Sequence, residues 1–224
     1  MPKTLRVVRS DGAATRTRIL ESAGKLFAEN GFAQTPNKMV AERAGVDLAS
    51  INYHFGSRDG LYQAVLVEAH RRFMRYEEIS VIVASERTPE QKLHALLATL
   101  AGRIIDDAPW NMTVLAREML APSDHLSQLF RDEVAPKTDL VLGVLSEITG
   151  IPVDAPELMC CLISFGAPCA MLIIFPENLS PISRTIHQMT ATALAEHLYR
   201  FTMGGLLDVS DNWHGLTSLN APSC

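Results

Sequence analysis

Between residues 31 and 57 the chain is stopped and restarted three times. Gly31, Gly45 and Gly56 each follow a stretch of helical spacing, and a capping residue follows each glycine: Thr35 with Pro36 behind it, then Asp47, then Ser57. Glycine just past the last periodic residue ends a helix, and Thr, Asp or Ser ahead of the next apolar run begins one. These signals leave two short helices, one ending near Ala44 and one from Leu48 to Phe55. Helices that short have no stability of their own in water, so packing on neighbours must hold both. Joined by the tight turn Ala44-Gly45-Val46-Asp47, they form a helix-turn-helix.

Around this pair the spacing stays helical. Ile19, Leu20, Ala23, Leu26 and Phe27 make one apolar face of a helix from Thr15. Leu61, Val65, Ala69, Phe73 and Tyr76 stay in phase along a connecting helix over about 58–84. Thr88-Pro89 opens a helix to about Asp107. Shorter pieces follow near Thr113–Leu120 and Leu126–Val134, then Pro136–Glu147. Two long helices close the series, at about 155–175 and 183–204, with "FPENLSPIS" between them. No alternating strand pattern occurs, so the expected class is all-α. The expected divisions are a loose basic arm at 1–14, a helix-turn-helix domain at 15–60, a larger helical domain at 61–208, and a loose tail at 209–224.

The second short helix has two unlike faces at about 100° per residue. Leu48, Ile51 and Phe55 share the apolar face and anchor it. Ala49, Ser50, Tyr53 and His54 share the opposite face, with Asn52 on the flank. In a helix-turn-helix the second helix enters the major groove and its outward side chains read base edges. Ala49 allows close approach, Ser50 can donate or accept, and Tyr53 and His54 can reach a base or a phosphate. Thr35, Lys38 and Arg58 suit phosphate contacts around it. The expected DNA-contacting set is Thr35, Lys38, Leu48, Ala49, Ser50, Asn52, Tyr53, His54 and Arg58. Leu48 stands both on the inner face and at the helix's leading end.

Charge supports a division of labour. Residues 1–75 hold 12 Lys/Arg against 7 Asp/Glu, while the remainder holds 8 against 18. A basic first third on an acidic remainder suggests an anion-facing module followed by something else. Enzyme chemistry finds no support: HExxH, GxSxG, a P-loop and GxGxxG are all missing from the sequence. His187 and His197 have no acid at ligand spacing, and Cys160, Cys161 and Cys169 have no nearby His, so no metal or cofactor is expected. Without a CxxC pair or a secretory leader, free thiols in a cytoplasmic protein are the expectation. Leu158–Phe175 is uncharged, but Ser164, Gly166 and Pro168 interrupt it and acids flank it, so it reads as a buried or subunit-contacting helix and not a membrane span.

Several stretches resemble the TetR (tetracycline-repressor-like) family of bacterial regulators. They are "ILESAGKLFAENGF", Thr35, "VAERAGV" and "INYHFGSRDGLYQAV", together covering about residues 15–65. Tyr53-His54-Phe55 matches the family's end to its recognition helix. Ser57-Arg58-Asp59 stands for the family's Ser–Lys–Glu with the same charges. "LASINYHFGSRDGLY" and "AREMLAPS" are similar to a branch related to CecR-like regulators. Two positions depart from the pattern: Ala49 where many members have Gly, and Asn52 where an aromatic is common. The operator sequence therefore does not carry over.

The resemblance implies an N-terminal DNA reader and a C-terminal domain that binds a small-molecule effector and forms a homodimer. It implies repression relieved by that effector, at a near-palindromic double-stranded operator with half-sites roughly 34–36 Å apart. The last two long helices would form the dimer contact, through Leu158, Leu162, Phe165, Ile173, Leu194 and Leu198. Candidate effector contacts are Phe73, Trp110, Met112, Arg117 and Met119, with pairing of Arg117 to Glu118 as the plainer role for that arginine. The rival reading is a helical ligand-binding or interaction protein that keeps the helix-turn-helix only as scaffold.

Overall fold

The computed structural model describes residues 5–105, 110–175 and 177–219. In chain order the helices are α1 (Leu5–Asn30), α2 (Asn37–Ala44), α3 (Leu48–Phe55), α4 (Arg58–Phe73), α5 (Tyr76–Val83), α6 (Pro89–Ile105), α7 (Trp110–Leu120), α8 (Leu126–Leu129), α9 (Ala135–Thr149), α10 (Pro156–Ile174), α11 (Pro181–His187) and α12 (Ala191–Leu219). A π-turn, Phe130–Val134, joins α8 to α9. No strand occurs among the described residues, as the spacing predicts.

The chain folds into two compact units. The first holds α1–α4 together with α7 and α8. Ile19, Ala23 and Phe27 of α1, Val40 of α2, Ile51 of α3 and Leu61, Val65 and Leu66 of α4 form its core. Trp110, Val114 and Leu115 bring α7 into that core. Gly24 makes the α1–α7 approach possible: a Cβ there would stand 2.5 Å from Cε3 of Trp110. The Trp110 indole Nε1 donates to Glu21 Oε2 at 3.0 Å. Arg117 closes the end of α1, its Nε donating to Ala28 O at 2.9 Å and its Nη2 to Glu29 O at 3.2 Å.

The second unit holds α5, α6 and α9–α12. Leu93, Leu96, Leu97 and Leu100 of α6 form the centre, with Leu145 of α9, Leu158 of α10 and Leu194 of α12 around them. A reciprocal capping box starts α6: Thr88 N donates to Gln91 Oε1 at 3.1 Å, and Gln91 N to Thr88 Oγ1 at 3.4 Å. Helix α10 alone among the described helices is long and apolar enough to cross a membrane. It buries one stripe, Leu158, Cys161, Phe165 and Cys169, against its own unit.

Four expected boundaries change. The stretch expected as an arm is helical from Leu5, because an existing helix extends without a new nucleation cost and only Gly12 weakens it. The connecting helix is interrupted at 74–75, where Arg75 is extended, so that α4 buries Ala69 in the first unit and α5 buries Ile79 in the second. The contact boundary accordingly follows Phe73 and not residue 60, and α7 and α8 belong with the first unit. The last helix begins anew at Ala191, where Thr190 Oγ1 accepts from Ala193 N at 3.1 Å. It then runs to Leu219, through residues expected as a tail. Two side chains tie that extension down on the end of α9: Ser210 Oγ donates to Thr149 O at 2.7 Å, and His214 Nε2 donates to the same carbonyl at 3.1 Å. His214 fits because Gly150 has no Cβ; one would meet its Nε2 at 2.8 Å. Residues 220–224 lie outside the described residues.

Candidate nucleic-acid interface

Local chemistry sets the start and end of α3. The Asp47 carboxylate accepts from Ser50 N at 2.7 Å and from Ser50 Oγ at 2.6 Å. The Ser50 hydroxyl, with its backbone N–H, holds the Asp47 carboxyl below the usual range. Gly45, at φ 62°, lets the chain reverse ahead of that cap. At the far end Ser57 Oγ accepts from Gly60 N at 3.0 Å and starts α4. Gly60 brings α4 close: a Cβ there would lie 2.2 Å from Phe55 O. A short helix pinned at both ends and by fully buried Ile51 presents its outer face rigidly.

That outer face carries Ala49, Asn52 and Tyr53, all exposed, with Tyr53 at 85%. His54 is half-buried and its ring meets Tyr53 edge-on at 5.0 Å. Lys38 on α2 is exposed and only loosely paired with Glu42, at 4.0 Å. The Ser50 hydroxyl proton is engaged by Asp47, so this side chain can accept from a partner but does not donate to one.

Two expected contacts need correction, and so does one expected anchor. Thr35 is fully buried, and its hydroxyl donates to Gly31 O at 2.8 Å, closing the α1–α2 turn; no phosphate can reach it. Arg58 is turned inward, with Nε donating to Thr35 O at 3.2 Å, Nη2 to Ala33 O at 3.2 Å and also to Phe32 O. Its guanidinium lies 4.3 Å from the Phe32 ring centroid. It therefore clamps the chain's own loop and not a phosphate. Leu48 is 49% exposed, so Ile51 carries the anchoring that the wheel shared among three residues.

Beneath this surface lies a network that the spacing did not signal. Buried Glu118 of α7 accepts from Tyr62 OH of α4 at 2.7 Å and from Ser123 N and Oγ at 2.9 and 2.7 Å. Burial, and then the bond to Glu118, push the Tyr62 phenol well above its usual range. Tyr62 also stacks on Phe32 at 4.4 Å. His125 lies 3.2 Å from Gln63 Oε1 and 3.4 Å from Asp59 Oδ1. Arg117 binds the end of α1 and not Glu118.

None of the expected effector contacts lines the cavity described below. Trp110 and Met112 are buried in the first unit, Arg117 caps α1, Phe73 is half-buried and Met119 is exposed. A cavity of about 340 Å³ lies in the second unit between α10 and α12, with Phe165 and Leu206 at its base and Cys160 and Phe201 at its rim. Of the expected dimer residues, Leu158, Phe165, Leu194 and Leu198 are buried within their own unit, and Leu162 and Ile173 are half-buried. The outward stripe of α10 is instead Met159, Ile163, Ala167 and Met171, four residues apart each time. Exposed Phe201 and Leu207 stand on α12.

Comparison with known proteins agrees with this architecture. Residues 19–65 match the family described as bacterial regulatory proteins, tetR family. Residues 89–206 match the C-terminal domain of the HTH-type transcriptional dual regulator CecR. The chain belongs to the TetR family of bacterial regulators, with a CecR-type C-terminal domain, and that family is one of regulators and not of enzymes. Over 72 residues it is 31% identical to the transcriptional regulator UidR of Escherichia coli, covering 32% of this chain and 37% of that protein. Over 95 residues it is 33% identical to the transcriptional repressor KstR2 of Rhodococcus jostii, covering 40% of this chain and 43% of that protein. The chain thus matches well under half the length of these relatives. Among solved structures, the regulator FadR of Bacillus subtilis in complex with stearoyl-CoA superposes with a TM-score of 0.67 at 16% identity, covering 84% of this chain and 98% of that one. A TetR-like regulator from Rhodococcus sp. RHA1 gives 0.65 at 18%, covering 92% and 98%.

Proposed function

We propose that the chain is a homodimeric, DNA-binding repressor of transcription, released from a near-palindromic operator by a small-molecule effector and acting in the cytoplasm. The observation that carries this reading is the free outer face of α3. Ala49, Asn52 and Tyr53 are exposed on a helix whose ends and inner face are fixed by Asp47, Ser57 and Ile51. Such rigidity serves no packing purpose at a solvent face, and it suits insertion in a major groove. The reading set is Lys38, Ala49, Ser50, Asn52, Tyr53 and His54, with Leu48 at the leading end.

Repression follows the name of KstR2, whereas CecR is described as a dual regulator, so the sign of regulation is tested separately from DNA binding. A small-molecule effector is supported by likeness to a regulator solved with stearoyl-CoA. An effector can act only through unequal affinity for the DNA-competent and incompetent states. Dimerisation through the outer stripe of α10 with Phe201 of α12 is supported by the apolar area these residues leave uncovered.

The test is a binding titration of the folded dimer with DNA from upstream of its own and neighbouring genes across a salt series. Affinity should fall steeply, by roughly three or more decades between about 50 and about 200 mM salt for six or more phosphate contacts. No binding to any fragment in low salt would instead favour a ligand-binding helical protein that keeps the helix-turn-helix as scaffold. Genome-wide selection of bound fragments then identifies the operator and the regulated genes.

A further inference from the structure

Four arginines of the first unit are engaged internally. Arg43 makes a two-pronged bond to Glu29, at 2.7 and 2.9 Å. Arg58 holds the carbonyls of the α1–α2 loop, Arg72 is held by Glu21 and Glu68, and Arg117 caps α1. Arg16 differs. It is exposed on α1, one turn before buried Ile19, and among the described residues it has no acidic partner. It is nonetheless held in place: its guanidinium lies 5.1 Å from the ring centroid of Phe55, the last residue of the recognition helix. That ring continues a row of aromatic contacts, His54 to Phe55 at 6.2 Å and Tyr53 to His54 at 5.0 Å. Phe55 is itself fixed by the close α3–α4 junction at Gly60.

A helix seated in the major groove is walled on both sides by phosphates. A cation at the rim of the C-terminal end of α3, off its reading face, meets the backbone and not a base edge. An arginine already oriented by a ring presents its planar donor fork there with little ordering left to do. We infer that Arg16 contacts a DNA phosphate beside the recognition helix and supplies the flanking clamp that Arg58, turned inward, is not free to supply. This rests on the DNA-reading assignment of α3.

The test uses the full chain and a labelled random-sequence duplex of about 30 bp, long enough for two half-sites one turn apart. Anisotropy titrations run from about 50 to about 200 mM KCl. Arg16→Ala should weaken binding several-fold and reduce the slope of log affinity against log salt by about 0.9, one phosphate contact, with an unchanged thermal midpoint. Arg16→Lys should keep the wild-type slope, because the charge remains, while binding more weakly for lack of the oriented fork. Arg200→Ala, an exposed arginine of the second unit paired with Glu196, should leave the slope unaltered. A wild-type slope in Arg16→Ala overturns the assignment while leaving the DNA-reading function standing. Failure of the wild-type chain to bind the duplex at the lowest salt removes both.

Discussion

Thr35 and Tyr53 both bring a hydroxyl to the helix-turn-helix, and their surroundings give them opposite work. Tyr53 points into solvent, so Tyr53→Ala should cut DNA affinity by roughly tenfold or more while moving the thermal midpoint by no more than about 2 °C, checked by anisotropy and by calorimetry. Thr35→Val keeps the shape and removes the donor to Gly31 O. It should cost about 1–3 kcal/mol in urea unfolding, with DNA affinity of the folded protein unaltered. Asp47 gives a pH signature. Its carboxyl is depressed in the folded state, so its contribution is present above the unfolded value of about 3.9 and is lost as pH falls through the lower folded value. The difference in thermal midpoint between wild type and Asp47→Ala should shrink below about pH 4. The caps at Asp47, Ser57 and Thr88 were legible because capping partners lie three residues away. Arg58 was not, because the carbonyls it binds lie 23 to 26 residues back in the chain.

Helix existence was widely readable, and helix partnership was not. The periodicity of α1, and of Leu61, Val65 and Ala69 in α4, names the faces that are buried. In α10 nearly every position is apolar, so one pattern hides two stripes. Leu158, Cys161, Phe165 and Cys169 face inward, while Met159, Ile163, Ala167 and Met171 face out. The two are separable by substitution. Ile163→Glu, at a position 68% exposed, should convert the proposed dimer to folded monomer in sedimentation, with far-ultraviolet circular dichroism unchanged. Leu158→Glu should unfold the second unit, because it buries an unpaired charge. Gly24 shows packing overruling propensity. Alanine in mid-helix ordinarily stabilises by about 0.5–1 kcal/mol. Here its methyl would press on the Trp110 ring, so Gly24→Ala should destabilise by about 1–3 kcal/mol, read from the denaturant midpoint. Nothing in the spacing around residue 24 announces a tryptophan that is 86 positions further along the chain.

On the scale of the whole molecule, the charge division seen in the sequence corresponds to real structure: the basic end holds α1–α4, and the acidic remainder supplies most of the second unit. The division is incomplete, however, because the chain leaves the first unit after α4, returns as α7 and α8, and leaves again. Composition could not foresee that return, since the buried contacts of α7 rest on Trp110 and Glu118, residues that also suit a ligand pocket.

The discontinuity matters for how such a protein can be taken apart and recombined. A fragment cut after α4 would keep Tyr62, Glu21, Gly24 and the last carbonyls of α1 but lose the carboxylate that Tyr62 binds, the tryptophan that covers Glu21 and Gly24, and the arginine that caps α1. A fusion built on that fragment would carry an uncovered apolar face on α1 and an unpartnered phenol on α4. Shuffling the reader onto another sensor, by a laboratory or by gene recombination, therefore calls for transplanting two segments together. The heritable module is the N-terminal helices with the insert at 110–130, and a single crossover point between reader and sensor does not exist in this chain.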